Sequence, residues 1–281
     1  MAVGVLALAG GTLAATASIL GPAMAPTAAG SASASPVAAG SSASALTTAS
    51  PSAVASTTGG GPPIPSARPS VSPTPSVTST PAAFSMDLYR KGAFIGEQTP
   101  IWCLPAAMQT SANIMDLGKG RKADLTRARQ QELFTLARTL APAPDKAAEP
   151  EGWAMGLTKL GYGKYEVQVR GSIKAAILTA ARAVRLTGRP AGLLVWKGAH
   201  SWVMSGFKAT ADPATTKDFT VTAVYIEDVW YPRHSDIWGD SNPPDTLVPV
   251  KDLPIDYKPW KRPQARYPEK DGKFVIAIPV R

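Results

Sequence analysis

The chain has little with which to cross-link itself or cage a metal: one cysteine, Cys103, and two histidines, His200 and His234, in 281 residues. A single cysteine excludes an internal disulfide framework, so any folded part must stand on packing alone. The histidines lie far apart, no H-E-x-x-H or Gly-rich phosphate loop occurs, and no structural zinc site, nucleotide or redox cofactor is expected. Charge is also missing from the front of the chain. Arg68 is the only charged side chain before residue 85, so all 20 acidic residues and all but one of the 29 basic ones belong to the rest. No run of Lys and Arg is interleaved with stacking aromatics, which argues against nucleic-acid binding. The net charge of +9 favours encounter with anionic material such as a cell-envelope polymer, and says nothing of fold.

The uncharged front divides in two. Residues 2–20 are mostly apolar, and Ala23 and Ala25 supply an A-x-A pattern, so 1–25 reads as a secretory signal peptide. No Lys or Arg precedes the apolar run, and an uncleaved membrane anchor is the rival reading. Either one places the remainder outside the cytoplasm, secreted or at the cell surface. Residues 26–85 are nearly all Ala, Ser, Thr, Pro, Gly and Val. That composition buries too little apolar surface to offset chain entropy and predicts a disordered stalk.

Residues 86–281 are expected to form one domain. A helix is predicted at 103–117, with Pro105 in its first turn, Gly118 as its stop, and Leu104, Met108, Ala112 and Met115 on one face. A second is predicted at 122–140 on Leu125, Leu133, Leu136 and Leu140, and a short third at 152–160. Residues 165–169 alternate as an edge strand, and Ser172 caps a further helix that ends at Gly188. Strands follow at 191–197, 201–207, 219–227 and 273–280, with 231–270 irregular. Helices first and strands later give an α+β plan with N-terminal helices packed on a mostly antiparallel sheet.

Four residues carry the chemistry. Cys103 stands where a helix begins, and the partial positive charge there favours a thiolate. A lone cysteine is often just a small core residue, but this one follows a Pro-Ile-Trp loop. His200 opens a strand and can serve as its base. Asp228 ends the next strand and can accept the second ring N–H of that histidine. Glu227 is the adjacent carboxylate, which strand alternation points to the other face. For the developing oxyanion the candidate donors are the Cys103 N–H and the Gln98 side chain. Of the late tryptophans, Trp230 is placed to shield the His200–Asp228 pair.

This ordered set resembles the papain-like cysteine peptidases: Gln98, then Trp102-Cys103-Leu104-Pro105-Ala106-Ala107, then Gly198-Ala199-His200 on a hydrophobic strand ending Gly206-Phe207, then Asp228 before Trp230-Tyr231-Pro232. Within them it is most similar to exported relatives of the bacteriocin-processing (double-glycine leader) peptidases. The resemblance spans about residues 95–232. It implies a papain-like fold, with Cys103 as nucleophile, His200 as general base and acid, Asp228 as orienting group and Gln98 as oxyanion donor. The sequence departs from the pattern twice. Leu104 stands where a Gly is usual, and Glu97 holds the sixth position before the cysteine, with Gln98 at the fifth.

The activity expected is peptide-bond cleavage through a thioester acyl-enzyme, on a peptide or protein substrate. Peptidoglycan amide hydrolysis or transamidation on the same fold is the first alternative, and a papain-like envelope protein without activity the second. Contact with a membrane is expected only if the N-terminal segment stays uncleaved.

Overall fold

The computed structural model describes residues 82–143, 146–263 and 266–281. The expected signal segment and nearly all of the expected linker lie outside them. Helix α1, Cys103–Gly118, begins at the cysteine and takes in the glycine expected to stop it. All four residues of its predicted apolar face are buried. Helix α2 is Arg127–Leu140, shorter at its start than predicted, because Thr126 caps it by accepting the Arg129 N–H. Leu125 therefore precedes the helix and is exposed. Helix α3, Pro150–Lys159, carries its proline in the first turn. Helix α4, Ile173–Thr187, is capped by the Ser172 hydroxyl, which accepts the Ala175 N–H at 3.2 Å, and stops at Gly188 as expected.

Strands β1 (Phe84–Asp87), β2 (Tyr165–Arg170), β3 (Ala191–Val195), β4 (His200–Ala209), β5 (Val221–Asp228), β8 (Thr246–Pro249) and β9 (Phe274–Pro279) form one antiparallel sheet. Its order is β2-β9-β3-β4-β5-β8, with β1 also paired to β4. Two short strands, β6 (His234–Ser235) and β7 (Gly239–Asp240), make a separate hairpin inside the segment expected to be irregular. Strand β1 was not expected, and it begins inside the span read as linker. It continues the line of β3 along β4: β3 pairs with residues 200–204, β1 with residues 206–209. A side chain at Gly206 would put a Cβ 2.2 Å from the Met86 carbonyl oxygen, so only glycine lets β1 close on β4.

The sheet is covered on both faces. One core joins α4 to Trp202, Met204, Phe207, Ile276 and Ile278; the other joins α1, α2 and α3 to Val203 and Ala277. Neighbouring residues on β4 and β9 thus supply opposite cores, as the two-residue period of a strand requires. The architecture is α+β, with three helices ahead of most of the sheet. Among the described residues no helix is long and apolar enough to cross a membrane.

Helix α1 buries polar residues as well. Asn113 donates to the Ala93 and Asp124 carbonyls and accepts the Asp124 N–H; Thr110 accepts the Ile95 N–H. Gln109 donates to Asp124 and Thr126, and accepts from Gln130 of α2. Gln130 also donates to the Gly96 carbonyl and accepts the Gln98 N–H at 2.7 Å. Buried polar groups with partners on both sides specify position more than they add stability. Here they fix the segment 93–98 against the middle of α1 and against α2.

Candidate active site

His200 and Asp228 come together where β4 begins and β5 ends. The register sets Trp202 opposite Asp228 and Val203 opposite Glu227. Asp228 therefore shares a face with His200, and Glu227 points away, its Oε2 accepting the Asp245 N–H. The His200 Nε2–Asp228 Oδ1 distance is 2.8 Å, with both side chains all but fully buried. Asp228 Oδ1 also accepts the Trp230 N–H and Oδ2 the Asn242 N–H. An acceptor-only carboxylate at Nε2 puts the imidazole proton there and leaves Nδ1 as the basic nitrogen.

The other partner is Cys103. Its sulfur, a His200 ring nitrogen and a Glu97 carboxylate oxygen all lie within 4.8 Å of one another. The thiol also approaches the Ala199 carbonyl at 3.9 Å. Three separate pieces of chain meet here: the pinned segment 93–98, the first residue of α1, and the first residue of β4.

The thiol does not behave as its place at a helix start suggests. Burial pushes it up to about 12; the Glu97 charge adds to this, and the Ser201 hydroxyl, the Leu104 N–H and Arg262 oppose it. Loss of water outweighs the helix terminus and favours the neutral thiol. Glu97 is 3% exposed. Burial raises its carboxyl to about 8 and Asp228 adds to the rise, although Arg233 lowers it by pairing with Oε1 at 3.1 Å. The Glu97 Oε2 has no hydrogen-bond partner among the described residues.

Gln98 is not brought to the thiol. It is exposed, and its amide nitrogen donates to the Gly96 carbonyl at 3.1 Å. The network around Gln130 turns Glu97 inward and Gln98 outward, so the sixth position before the cysteine faces the site and the fifth does not. The sequence signalled this only through the spacing itself.

Over His200 the chain bends in a way no residue type announced. The strand predicted at 191–197 stops at Val195. Trp196, Lys197 and Gly198 then take φ of 52°, 60° and 83°, left-handed values that cost a non-glycine residue about 1 kcal/mol or more each. Asp256 holds the turn: its carbonyl accepts the Trp196 N–H and its Oδ1 the indole N–H. The result is an indole laid on the imidazole, centroids 4.1 Å apart, with Trp238 stacked on Trp196 in turn. Trp230, the residue expected to shield the pair, meets His200 edge-on at 6.3 Å; Trp196 is the closer cover.

A pocket of about 40 Å³ opens beside Cys103 and His200, walled by Leu104, Pro150, Trp260 and Tyr267. That is room for roughly three waters. Leu104, the residue that departs from the usual glycine, is one of its walls. His234 pairs with Asp240 on the exposed hairpin and takes no part.

No family model matches the chain, and no curated protein matches it.

Proposed function

We propose that the domain is a papain-like thiol hydrolase that cleaves peptide bonds. One observation carries the reading: His200 is tied through Nε2 to a buried carboxylate and stands beside a cysteine at the first residue of a helix. In this reading the Cys103 sulfur attacks the scissile carbonyl carbon as its proton passes to His200 Nδ1. The oxyanion forms against the Cys103 N–H at the start of α1, which has no partner within the helix; Pro105 in the same turn has no N–H to give. The C–N bond then breaks, and the Nδ1 proton goes to the leaving amine. Water, giving a proton to the same nitrogen, hydrolyses the thioester and restores the thiol. Because burial favours the neutral thiol, proton transfer accompanies attack; no preformed ion pair is needed.

Asp228 orients the imidazole, and Trp196 keeps water from the His200–Asp228 bond. The narrow pocket and Leu104 suit a small side chain, or none, next to the scissile bond. Export of the domain and encounter with an anionic envelope polymer belong to the same reading.

Two observations favour a second reading, a papain-like protein without activity: the raised thiol and the small pocket. Digestion of a mixed peptide library, followed by mass spectrometry, separates the two. New termini with wild type and none with Cys103→Ala support the hydrolase, and no cleavage by either supports the inactive scaffold. Purified peptidoglycan in the same assay reports the amidase alternative.

A further inference from the structure

We propose that Glu97, Cys103 and His200 form a three-ligand site for Zn²⁺, and that the ion, when bound, closes the hydrolase. The observations are geometric and chemical. One ligand atom from each residue already lies within 4.8 Å of the other two. Zinc bonds of about 2.0–2.3 Å in a tetrahedron hold ligand atoms roughly 3.3–3.8 Å apart. Side-chain adjustments of about 1 Å therefore complete the triangle.

The donor set is one sulfur, one imidazole nitrogen and one carboxylate oxygen. Calcium and magnesium take oxygen donors, whereas thiolate with imidazole selects zinc and its neighbours. A dication with one thiolate, one carboxylate and one neutral imidazole is a neutral cluster, the combination that a buried site tolerates best.

Two features look built for such an ion. The His200 Nε2–H is held by Asp228, the arrangement in which a carboxylate behind a histidine fixes the ring that binds a metal through its other nitrogen. Glu97 is held through Oε1 and its own carbonyl by Arg233, which leaves Oε2 buried without a partner. A buried carboxylate oxygen with no donor is costly, and the hydrolytic mechanism gives it no task. A cation supplies the missing partner. Three protein ligands leave a fourth position for a water, on the side where the pocket opens along Cys103 and His200.

On binding, the thiol and the Glu97 carboxyl give up their protons to solvent and become ligands, while the ring nitrogen gives its lone pair to the ion. Neither can then serve in attack. The binding stands independently of the hydrolase reading; the inhibition rests on it.

The test uses the full chain, untagged and freed of metal by a chelator, titrated with Co²⁺ and followed by absorption. The expected result is saturation at one ion per chain. It should show a near-ultraviolet thiolate-to-cobalt charge-transfer band and the strong visible bands of four-coordinate cobalt, all displaced by Zn²⁺. Cys103→Ser should lose the charge-transfer band. Glu97→Gln should weaken Zn²⁺ by about 10–100-fold or more, and His234→Ala should change nothing. A weak six-coordinate cobalt spectrum with no charge-transfer band would overturn the proposal in the wild type alone, whatever the variants do. A spectrum unaltered in Cys103→Ser would overturn it too. If the site binds but the chelated protein cleaves no peptide, the site stands and the hydrolase reading fails. If the chelated protein cleaves and saturating Zn²⁺ leaves the rate unchanged, the inhibition fails.

Discussion

Replacing Glu227 with glutamine should stabilise the protein at neutral and alkaline pH and do little in acid. Glu227 is fully buried on β5, back to back with Asp228. Its Oε2 accepts the Asp245 N–H at 2.6 Å, and its Oε1 has no partner among the described residues. Burial raises its carboxyl from 4.5 to about 7; the Asp245 N–H and Ser205 pull the other way, and the Asp245 and Asp87 charges push with it. The same cluster raises Asp245 to about 6 and pushes up the Tyr89 phenol, burial leading in both. Below pH 4.5 Glu227 is protonated folded and unfolded, and costs nothing. Between 4.5 and 7 the unfolded chain releases its proton first, so stability falls by about 1.4 kcal/mol per pH unit from this group. Above 7 the folded protein carries the whole penalty, on the order of 3 kcal/mol across that interval. Glutamine keeps an acceptor for the Asp245 N–H, keeps a polar partner beside Ser205, and never ionises. Urea unfolding of wild type and Glu227→Gln at pH 5, 6, 7 and 8 should show the variant's advantage growing with pH to a plateau. A difference that is flat with pH, or a wild type more stable at pH 8, would refute the reasoning.

Three further outcomes follow from the same geometry. Asp228→Ala removes the acceptor for the His200 Nε2–H and should lower kcat/KM by about 10²-fold or more; Asp228→Asn keeps one acceptor oxygen but turns an NH2 toward either His200 or the Asn242 N–H, and should also lose activity, less than the alanine variant only if the oxygen faces His200. Gln130→Ala leaves the Gln98 N–H without its partner, which should cost about 1–3 kcal/mol in a denaturant melt and lower kcat more than it changes KM, because segment 93–98 loosens beside the thiol. Gly206→Ala forces a Cβ onto the Met86 carbonyl and should destabilise by about 1–3 kcal/mol in thermal unfolding, with β1 losing its protection from hydrogen exchange.

What the sequence disclosed depended on how local the signal was. Helix α1 was legible to within a residue, because Pro105, Gly118 and the stripe from Leu104 to Met115 are all set by near neighbours. Helix α4 was legible for the same reason, from Ser172 to Gly188. The Asp228–Glu227 choice was legible because strand alternation decides it. Strand β1 was not, since Phe84–Asp87 is short and its pairing depends on β4, more than a hundred residues away. Glu97 and Gln98 could not be told apart from their own segment; a buried network on α1 and α2 decides which side chain turns in. The cover on His200 was missed because Trp196 and Lys197 adopt left-handed backbone that their residue types do not favour, held there by Asp256 from a distant loop. The expectation of a lowered thiol pKa counted the helix terminus and could not count burial.

The central claim is that His200 acts on Cys103, and the rate of Cys103 alkylation by iodoacetamide at neutral pH tests it most directly, with a chelator present. Because burial holds the thiol up, the informative quantity is how far the rate depends on His200, rather than its absolute value. His200→Ala should react at least about tenfold more slowly than wild type, having lost the base that takes the thiol proton. Equal rates in the two proteins would mean that the cysteine and the histidine do not work together, and that His200 is not the base for Cys103.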